Sequence, residues 1–371
     1  MSATVADVEA IPVEMAVTSL EAGGIAPYVG NASSVEEVER VLLRLTTESG
    51  IEGWGEIRPS PSVESTVGVL EADVIPAAVG REVWEIESFV RSFEYEYLDL
   101  NGYVAGVEMA MWDALGKHLD APLHRLIGGK CADEVPIANT LGILDPEESR
   151  TYARRALEAG YDVLKTKAGR DWERDVERVV AMHEEVDGEL EFRVDPNQGW
   201  RFEDAVRVGA RLEDEGIYLQ YLEQPIRIDS VGTYERLRNR LRTPVGINED
   251  AYFPRHLSQL LSADAIDVAV VDLVPAGGVL ALKGQAAVAD EHGVSVAHHD
   301  GFDLGIKKAA VLHAVASTPA INLAVDTVYQ AWDDHLLEEP LTVADGAMPV
   351  PEGPGLGVSV DEGKLERYRL D

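Results

Sequence analysis

From about residue 135 onward the chain repeats one pattern eight times, and this repeat constrains the fold more than any other feature. Runs rich in branched and aliphatic residues fall at 135–142, 161–168, 190–197, 218–224, 244–249, 266–272, 293–298 and 320–326. Helical stretches separate them. The first is well signalled, with Asp145 as N-cap, Pro146 at the first helical position, Glu148 completing a capping box and Gly160 past the last turn. Others cover 171–186 and 201–215. The repeat length, about 25–29 residues, is that of one strand-helix unit. Eight such units point to a parallel α/β barrel of the (β/α)8 type.

The residues before the repeat follow another rhythm. Runs at 4–17 and 41–47 read as strands, and Gly53-Trp54-Gly55-Glu56 closes the second run. Between them lies a glycine-containing stretch, 21–30, that is polar enough to predict a mobile loop. Residues 63–127 read as helical, most clearly over 104–127, where Val107, Met109, Ala110, Trp112, Leu115 and Leu119 make an apolar stripe that Gly128-Gly129 ends. Strands followed by helices predict a separate α+β domain. The expected organisation is an N-terminal capping domain over 1–130, a barrel over 131–340 and a tail over 341–371 that returns to the capping domain.

The charge is extreme, with 67 acidic against 32 basic residues and a formal net charge of −35. Such a surface repels nucleic acid and anionic membranes, and its self-repulsion calls for strong screening, so the chain reads as adapted to a salty cytoplasm. The single cysteine, Cys131, excludes an intrachain disulfide and a cysteine-built zinc site. The first residues lack a basic, apolar leader pattern and no run reaches transmembrane length, so a cytoplasmic enzyme is expected.

Barrel active sites lie at the C-terminal ends of the strands. There the chain places Lys165 and Lys167, then Asp195 with Asn197, then Glu223, Glu249, Asp272, His298 with His299, and Asp326. Only eight lysines occur in the chain, yet two stand two residues apart at one strand end, where both side chains share a face. Asp195, Glu223 and Glu249 are one repeat unit apart. Three carboxylates converging from neighbouring strands would repel one another, and a hard divalent cation relieves this; oxygen-only ligands favour Mg2+ over zinc. The neighbouring Asp300 and Asp303 read as part of the overall acidity.

Together these motifs resemble the enolase superfamily, and within it the mandelate racemase and muconate-lactonizing group. The resemblance spans nearly the whole chain: Gly53-Trp-Gly-Glu56, the helix at 105–117, Leu126-Ile-Gly-Gly129, Lys165-Thr-Lys167, Asp195-Pro-Asn197, Glu223-Gln-Pro225 and Gly277-Gly278. It implies a capping domain on a modified (β/α)7β barrel. It also implies Mg2+ held by Asp195, Glu223 and Glu249, Lys167 as base, and Lys165 on the substrate carboxylate, lowering the pKa of Lys167 by like-charge proximity. Asp272 stands where muconate-lactonizing enzymes and dipeptide epimerases carry a lysine. In mandelate racemase and many acid-sugar dehydratases an aspartate there pairs with a histidine, which by count from Gly293 is His299. His298, Asn197, Asp326 and Tyr28 of the 21–30 loop are candidate substrate contacts. Asp326 departs from the glutamate often found on the last strand.

The implied chemistry is removal of the proton α to a small-molecule carboxylate through an enediolate, as in an acid-sugar dehydratase or a 2-hydroxy acid racemase or epimerase. A cycloisomerase is the alternative, weakened by the missing second lysine. From the residues alone, a Schiff-base aldolase on a plain barrel, with Lys165 or Lys167 as nucleophile, also stays open. The relatives' habit of symmetric assembly implies a homo-oligomer.

Overall fold

The computed structural model describes residues 2–93, 100–228 and 230–370. Part of the predicted helical region, 94–99, lies outside the described residues. The N-terminal region is a three-stranded antiparallel sheet of β1 (Val5–Ala16), a two-residue ribbon of β2 (Tyr28–Val29) and β3 (Ser34–Val35), then β4 (Glu37–Thr47) and β5 (Glu52–Ile57), with β4 central in the main sheet. Helix Asn101–His118 packs on β5. The close approach is made possible by Gly53 and Gly55: a Cβ on either would meet carbonyl oxygens of that helix at 2.1 and 1.9 Å. Here the Gly-Trp-Gly motif is a packing device. The helix buries residues on nearly every side, from Val104 to Gly116, because β5 and the barrel flank it.

The barrel strands are β6 (Glu134–Leu141), β7 (Val163–Lys167), β8 (Glu191–Asp195), β9 (Tyr221–Glu223), β10 (Val245–Ile247), β11 (Val268–Val271), β12 (Ser295–His298) and β13 (Val325–Thr327). They run parallel in the order β12-β11-β10-β9-β8-β7-β6-β13. Closure between β12 and β13 is made just ahead of β13, where the Asn322 and Leu323 N–H groups donate to Val296 O at 3.1 and 3.0 Å. Helices follow the first seven strands and none of equal length follows β13, so the barrel is of the (β/α)7β form. The capping box forms as predicted: Asp145 accepts from Glu147 N and Glu148 N, and Glu148 reaches back to Asp145 N.

Two expectations change. In the 21–30 segment Glu21, Ala22, Gly23 and Pro27 face solvent, whereas Ile25, Ala26 and Tyr28 are buried. The glycines suggest a loop, but its larger apolar side chains pack into the core. The tail touches both regions. Strand β14 (Ala347–Pro349) pairs with β6, while helix Glu362–Tyr368, which carries only one buried residue and so leaves no periodic signal, lies against β1. No helix among the described residues is long and apolar enough to cross a membrane.

Two carboxylates from the N-terminal region seat it on the barrel. Helices Val279–Glu291 and Ile306–Ala316 both have glycine at the N-cap and no side-chain cap of their own. Glu108 instead accepts from Val279 N at 3.1 and 3.2 Å, and Glu56 accepts from Leu304 N at 2.7 Å, Gly305 N at 3.3 Å and Lys307 N at 2.9 Å. The orphan donors at the start of each barrel helix thus meet a buried carboxyl group. A Cβ at Gly278 would lie 2.5 Å from the Glu108 carboxyl carbon, which explains the glycine there.

Candidate active site

The short barrel strands deliver their last residues into one buried cluster. Lys165 and Lys167 point the same way from β7, as the two-residue period requires, and both meet Asp195 Oδ2, at 3.3 and 2.5 Å. Lys165 Nζ also lies 2.6 Å from Glu223 Oε1 and 2.7 Å from Asp326 Oδ2. Burial alone would depress the pKa of Lys165, but Asp326, Glu223 and Asp195 outweigh it and hold the ammonium well above its ordinary value. Arg193, fully buried on β8, donates to Asp326 Oδ1 at 2.8 Å and to Ala324 O at 2.9 Å. Asp326 therefore already has two cationic partners.

The three carboxylates expected to hold a cation are at the ends of β8, β9 and β10. Asp195 Oδ1 accepts from Asn197 N at 2.8 Å, and Glu249 Oε1 accepts from Gln198 Nε2 at 3.1 Å. Both donors come from a turn in which Asn197 and Gln198 have φ of 43° and 66°. Glu223 Oε2 and Glu249 Oε2 are buried with no hydrogen-bond partner. Burial raises the pKa of Glu223 to about 8, and burial also raises that of Glu249, with the Asp195 charge adding to both. Buried, unpartnered carboxylate oxygens in an all-oxygen set fit a hard divalent cation. The tightest candidate metal group among the described residues is a different one, Glu223, His299 and Asp326, with one ligand atom from each within 4.8 Å of the others. Glu223 is common to both sets.

The two histidines separate cleanly. His298 has no exposed surface; its Nε2 accepts from Leu273 N at 3.1 Å, and burial first, then Lys307 and Lys308, lower its pKa to about 3. It is a strand-end packing residue and lines neither cavity described below. His299 faces the open site. Its Nδ1 lies 3.8 Å from Glu223 Oε1 and 3.9 Å from Asp326 Oδ2, beyond hydrogen-bond length, and burial with the charges of Lys165, Lys167 and Lys307 holds it neutral.

The expected Asp272–His299 pair is not formed among the described residues. Asp272 Oδ1 accepts from Val274 N at 3.2 Å and lies 2.9 Å from Lys307 Nζ. Lys307 also meets Asp303 at 2.7 Å, while Lys308 meets Asp300 at 2.6 Å. Asp300 and Asp303 are thus buried partners of two lysines, not part of the general surface acidity. The signal for them was available: Lys307 and Lys308 are a second close pair among eight lysines.

Two adjoining cavities open over the cluster. The inner one, about 440 Å3, is lined by Tyr28, Lys165, Lys167, Asn197, His299 and Asp326, among others. The outer one, about 590 Å3, reaches Tyr252, Asp272 and Lys307. Both volumes suit a small-molecule substrate. Arg40, Arg58 and His299 line both. The two arginines come from the N-terminal region, and no motif in the sequence singled them out. Tyr28 is buried, and its ring meets Phe302 edge-on at 5.1 Å; burial holds its hydroxyl well above the usual phenol range.

Residues 148–364 match the family described as enolase C-terminal domain-like, and residues 3–128 match the N-terminal domain of mandelate racemase/muconate lactonizing enzyme. An N-succinyl-L-Arg/Lys racemase from Bacillus cereus is 26% identical over 360 residues, covering 93% of this chain and 94% of that protein. A chloromuconate cycloisomerase from Cupriavidus pinatubonensis is 29% identical, covering 88% and 90%. The crystal structure of an enolase from Streptomyces coelicolor superposes with a TM-score of 0.86 at 31% identity, over 98% of this chain and 96% of that one. Other relatives are named as epimerases and as a dehydratase.

Proposed function

This chain belongs to the mandelate racemase/muconate-lactonizing group of the enolase superfamily, an isomerase or lyase, and on that premise we propose that its site removes the proton α to the carboxylate of a small hydroxy acid. The observation that carries this reading is the cluster itself. Lys165 and Lys167 end one strand, facing three carboxylates of which two keep an unpartnered buried oxygen.

In this reading Lys167 takes the α-proton. Asp195 Oδ2, 2.5 Å away, fixes its side chain at the cavity, and Lys167 gives up its own proton to solvent before it acts as a base. Lys165 holds the substrate carboxylate as a fixed cation. Asp195, Glu223 and Glu249 would hold Mg2+, which supplies positive charge where negative charge develops on the carboxylate. His299 faces the inner cavity from β12, across the barrel from β7. From there it exchanges a proton at the same carbon in a racemisation or epimerisation, or gives one to a departing hydroxyl in a dehydration. Asp272 serves this histidine only indirectly, through its ion pair with Lys307. A Schiff-base role for Lys165 is disfavoured because three carboxylates keep it protonated, and an ammonium is no nucleophile.

Proton NMR in D2O, with Mg2+ and molar KCl, tests the reading on pooled aldonates, aldarates and aromatic 2-hydroxy acids. Loss of an α-proton signal from an otherwise intact compound identifies a racemase or epimerase. Appearance of a 2-keto-3-deoxy acid identifies a dehydratase. If every pool keeps its α-proton signal, the assignment to hydroxy acids is wrong.

A further inference from the structure

We propose that Arg58 grips a second acid group, so that the substrate of the site described above is a dicarboxylate. This rests on the reading just given for its reacting end. The outer cavity is lined by five charged residues: Arg40, Arg58, Asp272, Asp303 and Lys307. Four are already engaged. Lys307 lies 2.9 Å from Asp272 and 2.7 Å from Asp303. Arg40 is buried, donates to Phe302 O at 2.8 Å and to Gly301 O, and lies 3.9 Å from Glu56. Arg58 alone has no side-chain hydrogen bond or ion pair among the described residues.

Lacking a partner is not by itself what sets Arg58 apart, since exposed arginines such as Arg125 and Arg201 have none among the described residues either; its place is. Arg58 lines both cavities, at the seam between the reacting groups and the outer space. It follows β5 directly and precedes Pro59 and Pro61, whose fixed φ limits how far this segment can swing away. It also lies close enough to Arg40 for its charge to depress the Arg40 pKa, behind the larger effect of burial. Two like charges at one seam are relieved by an anion, and a guanidinium binds a carboxylate in bidentate fashion. Glu37 and Glu39, which would suit a cationic tail, line only the inner cavity.

Calorimetric titration with glucarate and gluconate, in Mg2+ and molar KCl, tests this on the full chain. The two probes differ in the distal carboxylate, and binding is read whether or not either is turned over. We expect glucarate to bind at least tenfold more tightly than gluconate. Arg58→Met should collapse that ratio to about twofold or less, and Arg58→Lys should keep part of it. An unchanged ratio in Arg58→Met overturns the proposal. So does a wild-type ratio near one, absence of binding by glucarate, or a preference for 6-aminohexanoate, which would place the far end of the substrate by Glu37 and Glu39 of the inner cavity. Failure of the α-proton reading appears separately, as glucarate binding that depends on Arg58 without α-proton exchange in any pool.

Discussion

The molecule holds two buried charge clusters of similar composition, and they are built for different ends. The inner one contains Lys165, Lys167 and Arg193 against Asp195, Glu223, Glu249 and Asp326. The outer one, at the seam between the N-terminal region and the barrel, contains Arg40, Lys307 and Lys308 against Glu56, Asp272, Asp300 and Asp303. Three cations face four carboxylates in each. The outer carboxylates are stitched to backbone: Glu56 accepts from three N–H groups, and Asp300 accepts from Phe302 N at 2.7 Å and Asp303 N at 3.0 Å. The Asp300 and Asp303 oxygens that accept no hydrogen bond still face Lys308, at 2.6 and 3.8 Å. In the inner cluster Asp195 has one backbone donor, and Glu223 Oε2 and Glu249 Oε2 have neither a hydrogen bond nor an ion pair among the described residues. A buried charge whose oxygens each meet a fixed donor or a cation holds a loop in place. One left short is poised for a ligand, at a cost in stability.

Removing the metal should have the largest effect. Exhaustive chelation is expected to take α-proton exchange below detection by NMR, with recovery on adding Mg2+; exchange that survives would end the comparison, since the inner cluster would then need no cation. Next, Lys167→Ala should slow exchange by about 10²–10⁴-fold, the usual worth of a positioned base. Its thermal midpoint in Mg2+ should shift less than that of the next variant.

In the outer cluster the readout reverses. Lys308 is fully buried, and Lys308→Met leaves Asp300 and Asp303 short of a cation, so a loss of about 3–5 kcal/mol is expected in urea unfolding. A variant as stable as the parent would mean that the outer cluster is no more structural than the inner one. The smallest effect concerns Glu108, whose pKa burial raises from 4.5 to about 7. The folded protein then binds this proton more tightly than the unfolded chain. The resulting stability is complete below about pH 4.5 and is lost as pH rises towards 7, by at most about 3 kcal/mol. Glu108→Gln should remove this component, which a comparison of unfolding free energies at pH 5 and pH 7.5 will read.

The fold was largely legible. Each of the eight predicted strand runs overlaps one barrel strand, with β6 starting one residue before its run and β13 ending one residue after, because a strand buried on both faces has to be a run of apolar residues and the crossover helices set a regular interval. The paired lysines and the three strand-end carboxylates were legible for a related reason: charges at the end of an apolar run are out of place unless something uses them. Local chemistry likewise sufficed for the Asp145 capping box.

Pairing between distant segments was not legible. Sequence spacing put Asp272 and His299 in the same neighbourhood, but only the packed structure shows that Lys307, second residue of helix Ile306–Ala316, reaches Asp272 first. The same holds for Glu56 and Glu108. Each reads as an acid in a motif, and its partner is a helix N-terminus about 170 to 250 residues away. Arg58 carries no local signal either, since what singles it out is its place on both cavities. Strand period, caps and charge placement are written in neighbouring residues and survive without the fold. Which of several buried charges pair, and which are left waiting, depends on ångström distances that only the closed barrel and its seated N-terminal region set.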